Sequence, residues 1–224
     1  MARLLIPVSV IACVAMALTA GRQITPRHAK NSQGAAQMAR DFSWPPEVGK
    51  RFPKAVFIDP HGTTVEMEQL QGRILLIEPI GMPCEACQAF VGGHEHGGFG
   101  GVQPQQNLPP IKELARTYGN FDLDDPRILK VQMLLFNMNL KMPTEDDAKR
   151  WSDHFGVTGS AGHLVLAGNG KLVDKESFRR IPGFWLVDEG FVVQADSTGH
   201  DPQHDLYEEL LPMLGRMLET PAIH

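Results

Sequence analysis

The chain has 224 residues, a formal net charge of −5, 42% hydrophobic and 21% charged side chains. That length suits one domain with additional segments, and the hydrophobic share supports a packed core. The negative balance leaves no basic footprint for nucleic acid, and the composition excludes a fibrous or wholly disordered chain.

Met1-Ala-Arg3 gives a short positive start, and residues 4–20 form an uncharged apolar run of 17 residues. A secretory signal has this layout, and the length lies at the lower limit for a membrane-spanning helix. Residues 1–20 are therefore expected to be a signal peptide or membrane anchor, 21–45 a polar tether, and 46–224 a folded domain. The body is expected outside the cytoplasm, in the periplasm if the source is bacterial, where disulfides persist. Cys13 falls in the apolar run, so the folded part holds only Cys84 and Cys87. Two cysteines are too few for a disulfide-stapled mini-fold.

Residues 56–59 and 63–67 read as short strands around the turn Pro60-His-Gly62. Residues 74–77, Ile-Leu-Leu-Ile, have the continuous apolar pattern of a strand buried on both faces. A helix is expected from 84 to 90, with Pro83 at or just before its first turn. Residues 107–118 place Leu108, Ile111, Leu114 and Ala115 at helical spacing, and 127–136 read as a second buried strand. Thr144 followed by three acids predicts a capped helix over 144–155. A short extended piece is expected at 163–167. Residues 184–187 and 191–195 flank the hairpin signal Asp188-Glu-Gly190. The last segment, 205–218, is an amphipathic helix that Pro212 must kink or divide. This alternation predicts an α/β/α three-layer sandwich around a mixed sheet.

The chemistry centres on Cys84-Glu-Ala-Cys87. At the start of a helix the free amides and partial positive charge favour a Cys84 thiolate, the attacking species in disulfide exchange. A second thiol one turn later can resolve the mixed disulfide. As a structural disulfide the pair would close too short a loop to constrain the unfolded chain much. A metal site is the competing reading. The passage Gly92-Gly-His-Glu-His-Gly-Gly supplies His94 and His96, and thiolates with imidazoles suit copper or zinc.

The stretch from Val48 to Gly199 resembles the thioredoxin-like superfamily, most of all its extracytoplasmic TlpA/ResA-type members. The likeness rests on Phe57-x-Asp59-x-x-Gly62, Leu70-x-Gly72-Arg-Ile-Leu-Leu-Ile, the cysteine pair, and Ile181-Pro-Gly-Phe-Trp-Leu-Val-Asp188 with Gly190 and Gly199. The resemblance implies a thiol–disulfide oxidoreductase acting on protein substrates together with a redox partner, with no cofactor required. It makes Cys84 the attacking thiol and Cys87 the resolving thiol. Pro182 is expected to be a cis-proline facing them, with Ile181 offering backbone groups to an incoming peptide and Pro83 flanking the same place. Glu78, six residues before Cys84, matches a buried carboxylate that accepts a proton near neutral pH. A bulge at Pro79 is the alternative, turning Glu78 outward.

The chain departs from the family pattern in three places. Pro83 stands where the family usually has Trp, and Glu85 adds a negative charge beside Cys84. A Gly/His-rich insertion over 92–106, read as flexible, replaces the rest of the active-site helix. Sco-type copper proteins share the general fold but space their cysteines one residue wider. A peroxiredoxin reading lacks its threonine, since position 81 is glycine. His163, His200 and His204 are read as surface residues.

Overall fold

A computed structural model describes residues 43–157 and 162–219. Residues 1–20 and most of 21–45 lie outside that range, so the anchor and tether readings concern residues not described. No helix among the described residues is long and apolar enough to cross a membrane.

A two-stranded hairpin opens the fold, with β1 (Val56–Ile58) antiparallel to β2 (Thr64–Glu66) around the expected turn. The long central strand β3 (Ile74–Gly81) follows, and all eight of its residues are buried. Next come helix α1 (Glu85–Phe90), the short helix α2 (Gly93–His96), and helix α3 (Ile111–Gly119). Strand β4 (Ile128–Phe136) lies parallel to β3, and α4 (Glu145–His154) leads to strand β5 (His163–Leu166), parallel to β4. Helix α5 (Lys175–Arg179) precedes the antiparallel strands β6 (Gly183–Val187) and β7 (Val193–Thr198). The sheet order is β5-β4-β3-β6-β7. The hairpin joins the β5 side through paired backbone bonds between Ile58 and Ala167.

The apolar run of β3 reads as continuous because alternate residues feed two cores. Leu75 and Ile77 meet Val131, Met133, Trp185 and the α4 residue Trp151 on one face. Ile74 and Leu76 meet Phe184, Leu186, Phe90 of α1 and the apolar sides of α3 and the last helix on the other. This five-stranded mixed sheet between two helical layers fits the thioredoxin-like sandwich expected from the sequence.

Local chemistry sets the helix boundaries. Thr144 and Asp147 form a reciprocal capping box, so α4 starts where the threonine predicted. Helix α3 starts four residues later than the apolar spacing suggested, because Pro109 and Pro110 cannot sit inside a helix. The last segment is divided: a π-helix over Leu206–Leu210 passes into α6 (Leu211–Glu219). Pro212 lies in the first turn of α6 and has no N–H to continue the preceding ladder, which accounts for the break. The sequence reading missed α5, although Asp174 caps it by accepting from the Ser177 amide.

Candidate functional site

Strand β3 delivers Cys84 to the start of α1. The ladder with β4 shifts register between Ile80 and Gly81, after Pro79, whose ring nitrogen cannot donate. Beyond this shift the Met82 amide donates to Phe136 O (2.9 Å) and the Cys84 amide to Gly81 O (2.9 Å), which turns the chain through Pro83 into the helix. Cys84 is the N-cap. Its backbone is extended, and its Sγ accepts from the Cys87 amide at 3.1 Å.

The two thiols occupy different environments. Cys84 is half-buried and Cys87 is fully buried. A hydrogen bond from the Cys87 thiol, with the amides of Cys87 and Ala86, holds the Cys84 thiol below its usual range against partial burial and the charge of Glu78. Burial pushes the Cys87 thiol well above its usual range, reinforced by its bond to Cys84 and the charges of Cys84 and Glu78. The like charge opposing Cys84 therefore comes from Glu78. Glu85, expected from the sequence to act this way, is exposed and is not among the groups that shift it.

Glu78 points inward. It is fully buried, and among the described residues neither carboxylate oxygen has a hydrogen-bond partner. Burial raises its pKa to about 7, while the Lys130 charge and the Gln132 amide pull it down. Gln132 is in register with Glu78 across the parallel strands, and its Nε2 lies outside hydrogen-bond geometry. Its Oε1 accepts from the indole N–H of Trp151 at 3.2 Å. Lys130, two residues earlier on β4, is also buried, and burial lowers its pKa against the attraction of Glu78. His163, read from the sequence as a surface residue, is instead half-buried on β5 with its Nε2 enclosed. It pairs in register with Lys130, and burial and that lysine depress its pKa to about 2.

The Ile181–Pro182 peptide bond is cis, and the two residues lie beside the cysteines. Together with Pro83, Cys84, Leu140 and Phe178 they line a groove of about 310 Å³. Leu140 and Phe178 are each 54% exposed, unusual for large apolar side chains, and both sit at this groove. His200 stands on its rim and is exposed. Sequence reasoning did not find Leu140, Phe178, Lys130 or Gln132, because each comes from an element distant in the chain from the cysteines.

The Gly/His insertion is ordered and bonded to its surroundings. His94 Nε2 lies 3.1 Å from Gln105 O, and the His96 ring meets the Phe155 ring edge-on at 6.2 Å. The structure thus does not bring these histidines together with Cys84 and Cys87. Among the described residues no group of three or more His, Cys, Asp or Glu side chains is assembled to hold a metal ion. His204 is likewise engaged, its Nδ1 accepting from the Asp196 amide at 3.3 Å.

No family model matches the chain, and no curated protein matches it. Among solved structures it is similar to the thioredoxin domain of a thiol-disulfide oxidoreductase from Bacteroides vulgatus, at 17% identity over 73% of this chain and 94% of that one, with a TM-score of 0.43. It is similar also to a thiol:disulfide interchange protein from a Bacteroides species, at 14% identity over 80% of this chain and 94% of that one, TM-score 0.47. A third similar structure is copper-bound ScoI from Arabidopsis thaliana, at 10% identity over 77% of this chain and 99% of that one, TM-score 0.45.

Proposed function

We propose that the protein is an extracytoplasmic thiol–disulfide oxidoreductase that exchanges disulfides with protein substrates through Cys84 and Cys87. The observation that carries this reading is the asymmetry of the pair. One thiol is accessible at an apolar groove and favours its thiolate, and the other is buried and protonated.

In the reducing direction the Cys84 thiolate attacks one sulfur of a substrate disulfide. The substrate S–S bond breaks, a mixed disulfide forms, and the departing sulfur leaves as a thiolate that takes a proton. Cys87 then loses its proton to Glu78 and attacks the Cys84 sulfur. The mixed disulfide breaks and the second substrate sulfur leaves and is protonated. Two electrons and two protons pass to the substrate, and the Cys84–Cys87 disulfide remains. Glu78 suits the acceptor role because its pKa of about 7 matches working pH. Pro83, Ile181 and Pro182 seat the substrate chain, and Leu140 with Phe178 receives an apolar side chain near its cysteine. The apolar segment at 4–20 supports membrane attachment or export.

The reduction potential of the pair, measured on the metal-free purified chain in glutathione or dithiothreitol buffers, tests this. A reversible two-electron transition within roughly −120 to −270 mV is expected. A pair that resists reduction well below about −300 mV is structural, and that result sinks the exchange reading.

A further inference from the structure

The insertion that replaces the rest of the active-site helix has a mechanical role, visible in how Gln88 spends its amide. Gln88 follows Cys87 in α1 and is fully buried. Its Nε2 donates to Met82 O at 2.7 Å and to Phe99 O at 3.1 Å, and its Oε1 accepts from the Phe99 amide at 2.7 Å. Both amide hydrogens are used, and one side chain ties three segments: the turn that carries Cys84, the active-site helix, and the middle of the insertion.

Further ties run from the insertion to its neighbours. The Gln105 amide donates to Glu85 O at 3.0 Å, bonding the insertion's return limb to the first residue of α1. Gln105 itself lines the groove at Cys84. His154 Nε2 lies 2.9 Å from Gly97 O, and the Phe99 ring packs on Trp151 (5.6 Å) and His154 (5.4 Å). The segment read as flexible is thus held at both ends and in the middle.

We infer that the insertion is a fixed brace of the active site and that Gln88 is the positioning residue that locks it to the Cys84 turn. The need for a brace follows from length. Helix α1 has only six residues, too few to hold its own N-terminus rigid. Yet the Cys84 thiolate is supported from that helix, by the Cys87 thiol and by the Cys87 amide 3.1 Å from its sulfur. Gln88, about one turn into the helix, fixes Met82, two residues before Cys84, relative to that helix, so sulfur and amide keep their alignment. Buried carbonyls and amides left without this side chain would each need another partner, and the turn would shift to find one.

The inference rests on the redox reading only for what the thiolate is used for, and its test needs no substrate. In the reduced, metal-free full chain, the rate of Cys84 alkylation by iodoacetamide is followed against pH for wild type and Gln88→Met, with circular dichroism as the check of folding. Gln88→Met is expected to shift the profile to higher pH and slow alkylation at neutral pH about tenfold, the size of a one-unit change in thiol pKa. A folded Gln88→Met protein with the wild-type profile overturns the inference. If that variant does not fold, amide hydrogen exchange on the wild type decides. Phe99 protected to the level of the β4 amides supports the brace, and Phe99 exchanging at the rate of an exposed loop overturns it. A wild-type alkylation profile together with a potential in the oxidoreductase range would remove the brace and leave the proposed activity standing.

Discussion

The Cys87 amide donates to Cys84 Sγ at 3.1 Å, while the Cys87 side chain lies fully buried behind it. Cys87 thus supports the attacking thiolate with its backbone and holds back its own sulfur until a mixed disulfide forms. Cys84→Ser is expected to abolish exchange altogether. Cys87→Ser is expected to attack normally and stall, accumulating a covalent complex visible on non-reducing gels. A Cys87→Ser protein that turns over as wild type would assign resolution to another thiol.

Glu78 sets a pH dependence of stability with a definite sign. In the folded chain it keeps its proton up to about pH 7, against 4.5 as its ordinary value. Between those values the folded state holds the extra proton, so stability falls as pH rises, by up to about 3 kcal/mol. Lys130 works in the opposite sense in the window below its ordinary 10.5, Cys84 below its ordinary 9.0, and His163 between about 2 and its ordinary 6.5. The clean readout is therefore the difference between wild type and Glu78→Gln in denaturant melts from pH 4 to 8. Between about pH 4.5 and 7 the variant's stability is expected to climb relative to that of wild type as pH rises, and a constant difference would place the titration elsewhere.

The same substitution separates proton transfer from attack. Glu78→Gln is expected to slow resolution of the mixed disulfide about 100-fold at neutral pH, the lower range for a general base. Stopped-flow measurement with a fluorescent disulfide peptide should show the first step nearly unchanged. An equal loss in both steps would mean that Glu78 acts through the fold.

Leu140 and Phe178 are predicted to matter for proteins and not for small disulfides. Replacing either by Ser removes an apolar surface that a bound side chain would cover, and kcat/KM for a protein disulfide is expected to fall roughly tenfold. Turnover of a small aromatic disulfide with no peptide chain should stay within about twofold of wild type. Equal losses on both substrates would mean that the groove is not read.

Gly98 tests the packing of the insertion. A Cβ there would lie 1.6 Å from Val102 O, a backbone atom that cannot yield without moving the loop. Gly98→Ala is expected to cost about 3 kcal/mol, read as a lowered urea midpoint. A midpoint equal to wild type would show that the loop yields at Val102 without cost.

What could be read from the sequence was local. Thr144 with Asp147, Cys84 after Pro83, and the break at Pro212 each declare themselves through neighbours three or four residues away. The apolar runs of β3 and β4 were legible as buried strands, but Lys130 and Gln132 sit inside one of those runs. Nothing in period or propensity says that they face a carboxylate on a strand 50 residues earlier. The insertion misled for a related reason. Its glycines suggested freedom, whereas Gly93 and Gly98 permit close backbone approach and Gly92, Gly97, Gly100 and Gly101 take positive φ, and the partners that fix it, Gln88 and His154, are set by the fold. Leu140 and Phe178 read as ordinary apolar residues until the topology places them beside Cys84.

The position of Trp151 has a practical consequence. The chain has three tryptophans. Trp44 and Trp185 stand 5.5 Å apart as a pair, whereas Trp151 stands apart, between Phe99 of the insertion and the Gln132 amide in register with Glu78. Its indole thus borders both the loop and the buried ionisable strand. With Trp44 and Trp185 replaced by Phe, the emission of this one side chain becomes a built-in optical gauge. Its intensity would register loosening of the loop, and its wavelength would register charge appearing on the strand, so two separate events would be readable in one cuvette without any label.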